Sequence, residues 1–84
     1  MLEVLNNSSR GNFSALAECA KDAANKLSSA EANYINAVKS GNQGEIAKAD
    51  GAYKERQLAF ESISQMIKNK FETMMRLIRN LALN

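Results

Sequence analysis

The chain reads as an all-α protein: a helix–loop–helix hairpin with a longer C-terminal helix, assembling through helix packing. Three observations carry that expectation. The 84 residues include no Pro, and the good helix formers Ala, Leu, Glu, Lys, Gln and Met recur throughout. Apolar residues return at alternating intervals of three and four over two long stretches, the period of one helix face. Only one cluster of turn-forming residues, SGNQG from Ser40 to Gly44, interrupts that rhythm between them.

Residues 1–13 are expected to form a flexible polar N-terminal segment, because LNNSSRGN from Leu5 to Asn12 concentrates side chains that compete for backbone hydrogen bonds. The remainder, 14–84, is the helical hairpin. Its first helix is predicted over 14–39, with the Ser14 hydroxyl as a cap for the opening amides. The apolar stripe on that helix runs through Leu16, Ala20, Ala23, Leu27, Ala30, Tyr34 and Ala37. Most of it is Ala, which lets a facing helix come close but supplies little apolar area. Lys39 suits the negative end of the helix, and Gly41 can take the left-handed conformation that closes it.

The loop spans 40–44, with the hairpin turn at Gly41, Asn42 and Gly44. Asn42 followed by Glu45 has the spacing of a capping box, in which the carboxylate returns to the backbone. The second helix is predicted over about 45–82; Gly51 inside it costs about 1 kcal/mol and is tolerable in so long a segment. Its stripe comprises Ile46, Ala49, Tyr53, Phe60, Ile63, Ile67, Met74, Leu77 and Leu81, with Arg56 and Lys70 at the two interruptions. A neighbouring stripe holds Ala52, Ala59 and Met66, and further on Phe71, Met75, Ile78 and Ala82. Tyr34 and Tyr53 are placed to meet across the hairpin near the loop.

Length then raises a difficulty for a solitary hairpin. At 1.5 Å per residue the predicted helices span roughly 39 and 60 Å. The first would run out opposite about Lys70, leaving FETMMRLIRNLAL uncovered over roughly 21 Å. Burying one large apolar side chain is worth about 1.5–3 kcal/mol. A wet tail therefore forfeits an amount comparable with the net stability of a domain, roughly 5–15 kcal/mol. The expected assembly interface is accordingly Phe71, Met74, Met75, Leu77, Ile78 and Leu81, with Lys70, Arg76 and Arg79 as a polar or lumen-facing strip.

The composition argues against most site chemistry. With no His and a single Cys, the usual zinc sites and cysteine–histidine nucleophiles cannot be assembled, so no catalytic residue, cofactor or metal is expected. Cys19 reads as a small buried hydrophobe. GNQG lacks the Lys and the Ser or Thr of a phosphate loop. A net charge of +2 with interspersed signs does not imply nucleic acid. The late cluster Lys68, Lys70, Arg76 and Arg79 could touch anionic lipid, but the Met, Phe, Ile and Leu around it favour protein packing. No stretch reaches the length of a conventional membrane span, and no basic region followed by a long apolar run marks a cleaved signal peptide.

The turn AVKSGNQGEIAKADGAY, Ala37 to Tyr53, and the closing helix ISQMIKNKFETMMRLIRNL, Ile63 to Leu81, together resemble the needle subunits of bacterial type III secretion systems and, more loosely, their inner-rod relatives. The resemblance covers residues 14–81 and is one of layout. It implies a structural subunit that self-assembles into a helical filament or rod around a channel, with secretion chaperones and base or tip proteins as further partners. It also implies export without a cleaved signal peptide, with the information carried in residues 1–12, and a cytoplasmic stage before export. The alternatives are a small helical chaperone or adaptor of a secretion system, and an amphipathic membrane-active hairpin.

Overall fold

A computed structural model describes the backbone of residues 2–83 and the side chains of residues 13–83. Two helices account for nearly all of it: α1, Leu2–Ser40, and α2, Gln43–Leu83. They pack antiparallel as a hairpin with principal extents of 63 × 17 × 12 Å.

As far as Met74 the seam between them follows the predicted register; Leu77 and Leu81, expected to continue it, are exposed. On α1, Ala23, Ala30 and Ala37 are buried at 8% exposure each, with Phe13, Leu16, Ala20, Leu27 and Tyr34 half-buried around them. On α2 the half-buried positions include Ile46, Ala49, Tyr53, Phe60, Ile63, Ile67 and Met74. Phe13, one interval before Leu16, extends the stripe beyond the point where the sequence expectation began it. The tyrosines meet as expected, with ring centroids 6.3 Å apart and planes tilted by 39°. Such a pair contributes about 0.5–1.5 kcal/mol beyond its buried area.

The turn is held by a compact set of hydrogen bonds. Gly41 has φ +72°, in the left-handed region, and its amide donates to Val38 O at 3.1 Å. Asn42 is the N-cap of α2: its side-chain Oδ1 accepts from the Glu45 amide at 3.0 Å, and its carbonyl accepts from the Ile46 amide at 3.0 Å. The other half of the expected capping box is altered. The Asn42 amide donates to the Ser40 hydroxyl at 3.2 Å, and that same oxygen lies 3.1 Å from Glu45 Oε2 and 2.6 Å from Ala37 O. Ser40 thus stands between the carboxylate and the backbone that the carboxylate was expected to reach. A Cβ at Gly44 would sit 3.3 Å from Asn42 Oδ1, so this position too is fitted to the cap.

One expectation is overturned. The first helix begins at Leu2, not near Ser14, and the backbone of residues 2–13 is helical. Ser and Asn cost only a few tenths of a kcal/mol each in a helix, Gly about 1, and only Pro removes an amide and clashes with the preceding turn. With no Pro present, the ladder continues from a nucleus already formed, where each added residue gains a bond. The contacts of side chains 1–12, and any export role for them, lie outside the described residues. Helices of 39 and 41 residues rise roughly 59 and 62 Å, so within a 63 Å rod they run alongside each other for their whole length. The roughly 21 Å overhang does not exist.

Exposed i,i+4 ion pairs, Asp22–Lys26 at 3.0 Å and Asp50–Lys54 at 2.9 Å, lie on the helix surfaces with the acid N-terminal in each. The hydrogen bond from Lys54 to Asp50 holds its ammonium above the ordinary lysine range, and the charge of Asp50 adds to this. This contribution is present below the ordinary lysine pKa and fades as pH rises through the raised one.

Asn42→Ala removes the cap and should cost about 1 kcal/mol. Gly41→Ala places a Cβ in the left-handed region and should cost about 1–2 kcal/mol. Urea unfolding followed by circular dichroism, at one fixed low protein concentration, reads both as lowered midpoints. Unchanged midpoints would show that the turn is not held by these contacts.

Candidate assembly surface

The tail residues do not become covered even though a helix runs beside them. Phe71 is 51% exposed, Leu77 44%, Ile78 45% and Leu81 40%, while Met74 and Met75 are half-buried. For Phe71 and Ile78 the reason is angular: one straight neighbour covers a single stripe of a helix, and they lie off it. Leu77 and Leu81 lie on the predicted seam stripe itself and are still exposed, beside the part of α1 whose side chains lie outside the described residues. Of the residues expected at the interface, Phe71, Leu77, Ile78 and Leu81 are exposed on more than one side of the helix, Met74 is half-buried on the seam and Met75 is half-buried.

The second stripe on α2 resolves into two. Ala52 and Ala59 line a shallow groove with Cys19, Lys26, Asn33 and Arg56 on one broad face of the hairpin. Met66, 53% exposed, continues that side. Phe71, Met75 and Ile78 lie about 140° further round, on the opposite edge. The basic residues also divide. Lys70 is half-buried on the seam, whereas Arg76 and Arg79 are exposed. At 100° per residue Lys70 is far round the helix from both, so the three do not form one strip.

Cys19 is exposed, contrary to the expectation of a buried thiol. Ala20 occupies the seam position, and Cys19 is one residue, or 100°, off it. Within the tail, Thr73 Oγ1 donates to Asn69 O at 3.0 Å and Gln65 Nε2 donates to Asn69 Oδ1 at 3.1 Å, so these polar groups are satisfied along the helix itself. Among the described residues no group of His, Cys, Asp and Glu could hold a metal ion, and no helix is long and apolar enough to cross a membrane.

No protein-family model, curated protein or solved structure matches this chain. The surface itself must therefore carry the functional reading. The chain exposes 6538 Å² at 9.2 kDa, whereas a monomeric globular protein of that mass exposes about 4,900 Å². The excess, about 1,600 Å², is the signature of a rod with no third layer.

Cys19 in the dilute protein should react with maleimide without denaturant, within a few-fold of the rate for an unstructured peptide thiol. A rate that rises by orders of magnitude only on unfolding would place the thiol inside the fold.

Proposed function

We propose that this chain is a structural subunit that self-assembles through the tail of α2, into a helical filament or rod. The observation that carries the reading is the exposed cluster of Phe71, Leu77, Ile78 and Leu81 on a rod whose surface exceeds that of a monomer of its mass. Apolar area of this extent gains free energy when removed from water, at roughly 25 cal/mol per Å². The two ends of a long hairpin also differ, so repeated contact between copies is more naturally head-to-tail and open than closed.

Arg76 and Arg79, exposed on the same segment, offer a polar strip to a channel or a neighbour's carboxylates. The hairpin layout and the short polar turn support the resemblance to secretion-filament subunits. On that reading the chain is made in the cytoplasm and exported through a secretion apparatus.

Light scattering after size exclusion, across a concentration series and with negative-stain imaging of the same fractions, should show growth of the wild-type protein into elongated particles. Ile78→Asp should raise the concentration needed for assembly at least tenfold and leave the helical signal of the dilute protein largely intact. A wild-type chain that stays monomeric at high micromolar concentration would refute self-assembly and favour the adaptor class.

A further inference from the structure

We propose that the loop end of the hairpin is the receptor for the tail of the next copy, with Ile35 and Val38 docking against Phe71, Met75 and Ile78. The inference rests on the self-assembly reading and names the second surface that it needs.

Ile35 and Val38 are 52% and 49% exposed, although the neighbouring Ala37 is buried on the seam. Each follows a seam residue, Tyr34 and Ala37, and so sits on one flank of α1. Ile35 shares a cleft with Glu31, Tyr34, Asp50 and Tyr53, which places Asp50 of α2 on the same edge of the hairpin. Traced from Asp50 at intervals of three and four, that edge of α2 passes Lys54, Gln57, Glu61, Ser64 and Lys68, and then reaches Phe71, Met75 and Ile78. One edge of the rod is therefore apolar at both ends and polar between them. From Asp50 to Met75 the helix rises roughly 38 Å, and a stiff hairpin cannot bring its own two patches together.

A second copy can. Sliding one rod along another by roughly 38 Å, with a half-turn about its long axis so that the two like edges face each other and without swapping its ends, sets α1 of one antiparallel to α2 of the next. Ile35 then falls opposite Met75, Glu31 opposite Arg79, Val38 opposite Glu72 and Lys39 opposite Phe71, with Lys39 and Glu72 one residue out of register. Glu31 and Arg79 pair opposite charges at one end of the contact, and Lys39 lies near Glu72 at the other. Glu31, Lys39, Glu72 and Arg79 form no ion pair with any described residue of their own chain. Turning the second copy end for end, with Ile35 again opposite Met75, would set Glu31 opposite Phe71, within one turn of Lys68, and Lys39 against Arg79, two like charges. The translated arrangement is thus favoured, and it is open: each chain has one partner at its loop end and another at its tail.

The test uses Cys19→Ser as background. Glu31→Cys is made in one preparation, and Arg79→Cys or Lys68→Cys in another; they are mixed, assembled and treated with a short bismaleimide, with wild type sedimented in parallel. A cross-linked heterodimer of E31C with R79C is the expected result. A heterodimer of E31C with K68C in its place would overturn the translated arrangement in favour of a closed two-fold dimer. Sedimenting assemblies with neither cross-link would overturn the loop-end receptor and leave self-assembly standing. Wild type that does not sediment would remove both. Charge reversal supplies a second arm should the cysteine variants assemble poorly. Glu31→Arg or Arg79→Glu alone should raise the assembly threshold roughly two- to fivefold, and the two together should restore it. Singles and double equally impaired would count against the contact.

Discussion

The close approach of two helices along a seam of alanines is the constraint on which everything else in this rod depends. Among the described residues, Ala23, Ala30 and Ala37, at intervals of seven, are the buried ones, and no side chain is fully enclosed. Small side chains let two backbones come near, but they fill little volume between them. The core is consequently one stripe wide and runs most of the length of the molecule. Large apolar groups off that stripe, such as Ile35, Val38, Leu58, Met66, Phe71 and Ile78, stay exposed.

The turn converts this pairing into a hairpin with one register. Asn42 and Gly41 stop one helix and start the next within two residues, and the Tyr34–Tyr53 contact locks the first turns beyond it. Short connections of this kind leave the helices no choice but to lie antiparallel. The register set at the loop is then carried along the seam, because a slip of either helix would move its alanines off the contact. The outer faces are what this arrangement leaves over.

A consequence follows for how assembly is to be understood. An uncovered length would call for a partner only at the tail. An uncovered circumference calls for neighbours along the sides, with Ile35 and Val38 at one end and Phe71, Ile78 and Leu81 at the other. Charges between these patches keep the middle of that edge wet, so the free energy available for contact is concentrated at the two ends.

The sequence by itself determined the two helices, the break at Ser40–Gly44, the capping by Asn42 and the seam positions, because each follows from local propensity or from a 3.6-residue period. It did not determine where α1 begins. Ser14 and Asn12 resemble a boundary only if local hydrogen-bonding preference outweighs propagation of a helix already nucleated, and in this Pro-free chain it does not. Nor did it determine the surroundings of Cys19, Lys70, Ile35 or Val38. A sequence gives the angle of a residue about its own helix axis, but the direction of the neighbouring helix is a tertiary fact. One step of 100° from the seam separates a buried alanine from an exposed thiol, and the opposite flanks of α2 look like a single stripe until the position of α1 divides them.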